Sequence, residues 1–116
     1  MNTFSQQQNK LSPDLVLSKA LLNVGKSLNL NQSELARIIG TDKRTLKKGI
    51  DPKSSAGHLA TLLIQLHRTL YAAVGGRKKH MLHWLQTENL YTKGTPIKQI
   101  VTVNGLNEVV NYLDAM

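Results

Sequence analysis

The amino-acid sequence predicts an all-α protein of about seven helices. Apolar residues recur at the three- and four-residue spacing of amphipathic helices along most of the chain, and helix-start signals precede these stretches. No segment alternates between apolar and polar residues for long enough to predict a strand. With 116 residues and 41% hydrophobic content, the chain is long enough for one small domain or two closely packed halves.

Charge and composition limit the partners, the kinds of site and the location that can be expected for this chain. The net charge of +8 favours a polyanionic partner such as nucleic acid, anionic lipid or an acidic protein surface. The absence of cysteine excludes disulfides, zinc-finger sulfur ligands and thiol nucleophiles. The N-terminus has no signal-peptide pattern, and no apolar run approaches the roughly 20 residues that span a bilayer. A cytoplasmic protein without a membrane partner is therefore expected.

The first helix is predicted to begin after a polar segment, residues 1–11, that is expected to be a disordered arm. Ser12 suits the N-cap, Pro13 suits the first helical position, and Asp14 favours the positive end of the helix dipole. Four apolar residues at helical spacing then predict a buried stripe: Leu17, Leu21, Val24 and Leu28.

Two short helices are predicted next. Asn31 and Glu34 have the spacing of a capping box and begin the second helix. Gly40 ends it, because glycine tolerates positive φ at a sharp turn. Either Thr41 or Asp42 then caps the third helix. The residues expected to face the core from these two helices are Leu35, Ile38, Ile39 and Leu46.

The rest of the chain predicts one long helix and three shorter segments. Gly75-Gly76 ends the long helix, Trp84 is interpreted as a core residue of the next, and Thr95-Pro96 has the pattern of a capped helix start. The apolar residues that predict these helices are Leu59, Leu62, Leu63, Leu66, Leu70 and Ala73, then Met81, Leu82 and Leu85, and finally Leu106, Val109, Val110 and Leu113.

The stretch QSELARIIGTDKRTLKKG, residues 32–49, has the residues that a helix-turn-helix requires. Ala36 is the small residue that lets the two helices cross closely, and Gly40 makes the turn. The apolar anchors are Leu35, Ile39 and Leu46. Gly49 stands where an apolar residue often ends a recognition helix, so either Ile50 takes over that position or the helix frays.

Six polar residues of this stretch are the candidate DNA contacts: Gln32, Asp42, Lys43, Arg44, Lys47 and Lys48. Lys43 and Arg44 are long donors of the kind that read guanine edges, while Lys47 and Lys48 suit phosphates. Gln32, at the start of the second helix, suits a backbone phosphate. The alternative is a helical hairpin whose basic face is only solvated.

The two halves resemble known families. Residues 32–49 are similar to the Xre or lambda-repressor class of helix-turn-helix regulators. In the second half, WLQTENLYTKGTPIKQIVTVNGLNEVVNYL resembles the C-terminal domain of Xre/MbcA/ParS-type antitoxins. The resemblance rests on the order and spacing of Trp84-Leu85, Asn89-Leu90, Gly94-Thr95-Pro96, Thr102, Gly105, Val109 and Leu113. Two departures are Glu88, where proline is common, and Lys47-Lys48, where paired arginines are common.

The resemblance implies an antitoxin with two domains. Residues 12–55 would form the helix-turn-helix bundle, and residues 56–116 a small helical toxin-binding domain. In that family the C-terminal domain binds a co-encoded RES-domain toxin, which degrades or uses NAD⁺, and obstructs its active-site cleft. The N-terminal domain usually mediates dimerisation and autoregulation at the promoter. A homodimer on a palindromic operator is therefore expected.

Candidate toxin contacts lie in the linker and the last helix: Asn89, Tyr91, Thr92, Lys93, Asn107, Asn111, Tyr112, Asp114, Ala115 and Met116. For any one of these residues taken alone, ordinary solvated surface is the favoured interpretation. Two other functions stay open. One is a stand-alone transcriptional regulator without a toxin partner, and the other is an interaction or immunity protein whose helix-turn-helix no longer binds DNA.

Neither a metal site nor a catalytic site is expected, and no cofactor is predicted. His80 and His83 lie three residues apart on a predicted helix, but zinc normally requires three or four ligands. No paired carboxylates, serine–histidine–aspartate set or phosphate-binding glycine loop is present in the sequence. The basic run Arg77-Lys78-Lys79 could contact phosphate or an acidic partner, although such runs are usually solvated helix starts.

Overall fold

The structure is a computed structural model that describes residues 12–116, so the predicted arm at residues 1–11 lies outside the described residues. No strand forms within residues 12–116, which confirms the all-α prediction. The seven helices of this region are α1 (Pro13–Leu28), α2 (Gln32–Ile39), α3 (Lys43–Lys48), α4 (Ser55–Ala73), α5 (Lys78–Gln86), α6 (Pro96–Gln99) and α7 (Val103–Asp114). None of them is both long and apolar enough to cross a membrane.

The predicted helix starts of the N-terminal half are confirmed. The Ser12 hydroxyl accepts a hydrogen bond from the first turn of α1. Asn31 and Glu34 form a capping box, in which each side chain accepts a hydrogen bond of 2.8 Å from the other residue's N–H. Of the two candidate caps for α3, Asp42 has this role, since its Oδ1 accepts from the N–H of Thr45 at 2.8 Å. These local bonds satisfy N–H groups that a helix leaves unpaired.

One hydrophobic core joins the two halves. The long helix α4 packs against both α1 and α7. Leu63, Leu66 and Leu70 of α4 are buried in a cluster that runs from Leu21 of α1 to Leu113 of α7. Both predicted domains therefore pack against α4. The boundary between residues 55 and 56 stays a prediction.

α4 and α7 begin in the same way. The third residue of each is a glycine, Gly57 or Gly105, whose N–H donates at 3.0 Å to the hydroxyl of the N-cap, Ser54 or Thr102. A Cβ on either glycine would overlap a backbone carbonyl of the preceding segment, which for Gly105 is that of Gln99. The starts of both helices are therefore packed too closely against backbone to accept a side chain.

Three details of the sequence prediction are wrong. Ala73, placed on the buried stripe of α4, is exposed. Trp84, interpreted as a core residue, is half-buried at the edge of the core. Thr95 precedes a helix that begins at Pro96, as predicted, but the Thr95 side chain makes no capping hydrogen bond. For Ala73 and Trp84, the helical period predicted which side of the helix the residue lies on, but not where the neighbouring helices end.

Candidate functional site

The turn between α2 and α3 has the geometry of a helix-turn-helix. Gly40 takes a left-handed conformation with φ of +74°, and the N–H of Thr41 donates to the carbonyl of Ala36 at 2.8 Å. Ala36 is only 4% exposed, which is consistent with the predicted close crossing of the two helices. The predicted anchors Leu35, Ile39 and Leu46 are all buried.

One face of α3 is cationic. Lys43, Arg44, Lys47 and Lys48 are all exposed, whereas Leu46 is fully buried. At about 100° per residue, the four cations fall within an arc of about 140° on the helix, and Leu46 lies outside that arc. Because the four cations share one side of the helix, they can approach a polyanion together.

The other two candidate DNA contacts have different environments. Asp42 is exposed, but its carboxylate is occupied at the N-terminus of α3. The backbone N–H of Thr45 is the main cause that lowers the pKa of Asp42. Gln32 is the first residue of α2 and is half-buried beside a shallow depression that Lys26 and Leu30 also line. The structure thus places Gln32 on the helix that precedes the four cations and gives Asp42 a capping role.

The end of α3 shows how the departure at Gly49 is accommodated. The helix stops at Lys48, and Gly49 has φ of +142°. Ile50 is 1% exposed, and its N–H donates to the carbonyl of Asp14 at 3.0 Å. Ile50 therefore supplies the apolar contact that Gly49 cannot, and ties the end of α3 to the start of α1.

In the C-terminal half, a tight turn connects α5 to α6. Asn89 and Gly94 form an isolated antiparallel bridge, with N–H···O distances of 2.8 and 3.2 Å. The Asn89 side chain accepts from the N–H groups of Tyr91 (2.8 Å) and Thr92 (3.3 Å). Gln99 of α6 donates to the carbonyl of Thr92 at 2.6 Å. These bonds fix the shape of residues 89–94, which we call the display turn.

The display turn exposes two large apolar side chains. Leu90 is 90% exposed and Tyr91 is 78% exposed. Thr92, by contrast, is 3% exposed, so its side chain faces the interior of the turn and not the surface. Lys93 is exposed and has φ of +64°, a left-handed conformation that is uncommon for lysine.

Three aromatic rings lie nearly parallel beside this turn. Tyr112 of α7 is 5.7 Å from Tyr91 and 6.3 Å from Trp84 between ring centroids, at interplanar angles of 11° and 8°. Tyr91 and Tyr112 are both predicted toxin contacts, and the structure brings them together. Trp84, which was predicted only as a core residue, is the third member of this stack.

The remaining candidate toxin contacts divide into bonded and free groups. The Asn107 amide donates to the carbonyl of Val103 within α7 at 3.0 Å. The Asp114 carboxylate accepts from Gln65 at 2.6 Å and so ties the end of α7 to α4. Candidates without a side-chain hydrogen bond of this kind are Asn111, Ala115 and Met116, all of them exposed.

Sequence reasoning missed Leu90 as a surface residue. The sequence did contain an indication of its exposure. Leu90 follows Asn89 in a polar linker and does not belong to the apolar face of any predicted helix. As for metals, no group of three or more His, Asp or Glu side chains within residues 12–116 is arranged to hold an ion.

Comparison with protein families matches both halves of the chain. Residues 7–59 match the antitoxin Xre-like helix-turn-helix domain. Residues 69–116 match the antitoxin Xre/MbcA/ParS C-terminal toxin-binding domain. A comparison with curated proteins found no match. The first match contains α1, α2 and α3 with the cationic face, and the second contains the display turn and the aromatic stack.

Proposed function

We propose that this chain, which belongs to the Xre/MbcA/ParS-type antitoxins, acts in the cytoplasm against a co-encoded RES-domain toxin that consumes NAD⁺. The C-terminal half binds the toxin and covers the cleft in which NAD⁺ reacts. The helix-turn-helix binds the promoter of the shared operon and represses it. Inhibition is steric, and this chain contributes no chemistry of its own.

The observation that carries the proposal is the presence of two unlike exposed surfaces on one chain. The four cations of α3 lie in the half that matches an antitoxin helix-turn-helix. The exposed apolar and aromatic residues of the display turn lie in the half that matches a toxin-binding domain. An exposed apolar surface around Leu90 indicates a protein interface, which a regulator without a toxin partner would not require.

For the DNA-binding half, we assign base contacts to Lys43 and Arg44, at the N-terminal end of α3. Lys47 and Lys48 then contact phosphates, and Gln32 contacts the backbone from the start of α2. The chain binds as a homodimer, because two copies related by a two-fold axis match a palindromic operator.

For the toxin-binding half, we assign occlusion to the end of α7 together with the display turn. Ala115 and Met116 follow α7 and are both exposed, Met116 by 68%. Ala115 and Met116 are therefore free to enter a cleft on a partner, while Asp114 keeps α7 attached to α4.

The test is to purify the chain from its native cells with an N-terminal tag after nuclease treatment. We expect the RES-domain toxin in stoichiometric amount. Adding the purified chain to that toxin should then stop NAD⁺ consumption at a fixed molar ratio. Recovery of the chain alone, still able to bind its promoter, would contradict the proposal and favour a stand-alone regulator.

A further inference from the structure

We infer that Leu90 is the central anchor of the toxin interface and inserts into an apolar pocket on the toxin surface. The inference rests on the proposed function, since it takes the toxin as the occupant, and adds which residue dominates the contact. Three properties of the display turn carry it: the exposure of Leu90, the rigidity of the turn, and the composition of the surrounding surface.

The exposure of Leu90 is extreme among the large apolar residues of the described chain. The exposed fraction is 90% for Leu90, compared with 78% for Tyr91, 68% for Met116 and 54% for Val103. A leucine in this position leaves almost its whole apolar area in contact with water, and the free energy gained on burial scales with that area. Leu90 therefore has the most to gain from a partner, and the folded chain itself makes almost no use of its side chain.

The turn that holds Leu90 is preorganised in the chain without a partner. The backbone bridge between Asn89 and Gly94 closes it, and the Asn89 side chain bonds two N–H groups inside it. The 2.6 Å bond from Gln99 fixes it to α6. Binding through such a turn loses little conformational entropy, because the backbone around the anchor is already ordered.

The surroundings of Leu90 have the composition of a protein interface. Tyr91, the next residue, is 78% exposed and lies against Tyr112, so the same turn also carries an exposed aromatic surface. A shallow depression beside Tyr91 is lined by polar groups, including Lys93, Glu108 and Asn111. An apolar and aromatic centre with a polar rim is where the dominant contacts of protein complexes are found.

The toxin is the occupant that these features favour. The display turn lies within residues 69–116, the part of the chain that matches a toxin-binding domain. An apolar side chain at its tip offers nothing to DNA phosphates, which bind cations and N–H donors. The mixed polar rim of Lys93, Glu108 and Asn111 fits a protein surface that carries both donors and acceptors.

The test compares Leu90→Ser with Val16→Ser, which removes a half-exposed apolar residue outside the toxin-binding match. The probe is the purified RES-domain toxin encoded beside this chain's gene, in a titration against each variant. We expect Leu90→Ser to weaken toxin binding by about 30-fold or more, the effect of losing a dominant interface residue. Val16→Ser should bind as the wild type does, and both variants should keep the wild-type melting temperature.

A spectroscopic measurement checks the location independently of affinity. Trp84 is the one tryptophan of the chain, so labelling tryptophan with ¹⁵N gives a single indole N–H signal from the aromatic stack. Unlabelled toxin should shift that signal when it covers the display turn.

Four outcomes separate the possibilities. Weakened binding by Leu90→Ser together with a shifted Trp84 signal supports the inference. Equal toxin binding by wild type and Leu90→Ser overturns it and leaves the antitoxin function intact. If Leu90→Ser instead converts a dimer to a monomer without weakening toxin binding, the occupant is a second copy and the inference is again overturned. Failure of the wild type to bind the toxin would reject the proposed function itself.

Discussion

The two halves of the chain present their exposed residues in opposite ways. In the N-terminal half, α3 is fixed by a local cap at Asp42 and an apolar contact at Ile50, and it exposes four cations. In the C-terminal half, a short turn is fixed by side-chain bonds from Asn89 and Gln99, and it exposes a leucine and a tyrosine. One surface is charged and the other is apolar, although the same helix α4 supports both halves.

This difference indicates that the two proposed partners are recognised by different forces. Binding to DNA through lysine and arginine weakens steeply with salt, because counterions are released from the phosphates. Burial of leucine and tyrosine is not electrostatic and does not weaken with added salt in this way. A shared core with unlike surfaces therefore allows each binding activity to be changed without the other, unless the core itself is damaged.

The largest effect should come from Gly105→Ala, which damages the shared core. The new Cβ would overlap the carbonyl of Gln99, so we expect the free energy of unfolding to fall by about 3 kcal/mol or more. Because the core is continuous, both halves should unfold together in a single transition, followed by Trp84 fluorescence and by circular dichroism. Asn104→Ala, at the exposed neighbouring position, is the control. Two separate transitions would mean that the halves are independent domains.

The second effect should be confined to the N-terminal half. We expect Arg44→Ala combined with Lys47→Ala to weaken promoter binding by about 100-fold, through loss of one base contact and one phosphate contact. Toxin binding should not change. The matched control is Arg77→Ala combined with Lys79→Ala, which removes the same charge from the start of α5. Equal loss in both double variants would show that only net charge matters.

A smaller effect should distinguish Asn29, at the end of α1, from Lys93, in the display turn. Within residues 12–116 these are the two residues other than glycine that have a left-handed conformation. Asparagine tolerates this conformation better than lysine. We therefore expect Lys93→Asn to stabilise the chain by up to about 1 kcal/mol and Asn29→Lys to destabilise it by a similar amount. Thermal melts of the two variants measure both changes. Destabilisation by Lys93→Asn would show that the lysine side chain itself holds the turn.

The smallest effect should be a pH dependence of stability at His67 of α4. Burial lowers the pKa of His67 below its usual 6.5, and its Nε2 has no hydrogen-bond partner within the described part of the chain. The unfolded chain then binds the proton more tightly than the folded chain does. The contribution of neutral His67 to the free energy of unfolding is therefore fully present above pH 6.5 and is lost as the pH falls below it. His67→Gln should reduce the decrease in melting temperature between about pH 7.5 and about pH 5.5. An unchanged decrease in the His67→Gln variant would mean that another group causes it.

The fold was predictable because its signals are local. The capping box at Asn31 and Glu34, the caps Ser12 and Asp42, and the left-handed Gly40 all depend on residues within a few positions of each other. The cationic face of α3 was also predictable, because helical period alone puts Lys43 and Lys47 on one side.

The C-terminal surface was less predictable because it depends on distant contacts. The Thr92 hydroxyl donates to the carbonyl of Gly94 at 3.3 Å, and the Thr92 carbonyl accepts from Gln99 of α6. Thr92 is therefore buried, which reverses the burial expected for a linker residue. Leu90 is left outside by the same turn. Trp84 is half-buried because its ring lies against Tyr112, 28 positions later in the chain, and not within the core.

The most direct test of two unlike binding surfaces is to measure both affinities of the wild-type chain at about 50 mM and about 200 mM salt. With Lys47 and Lys48 of each protomer on phosphates, the promoter affinity of the homodimer should fall with a log–log slope of about −3.6, which is more than about 100-fold over this range. Toxin affinity should change by less than about threefold. A toxin affinity that falls as steeply as promoter affinity would contradict the account, because the toxin would then be held by charge and not by the display turn.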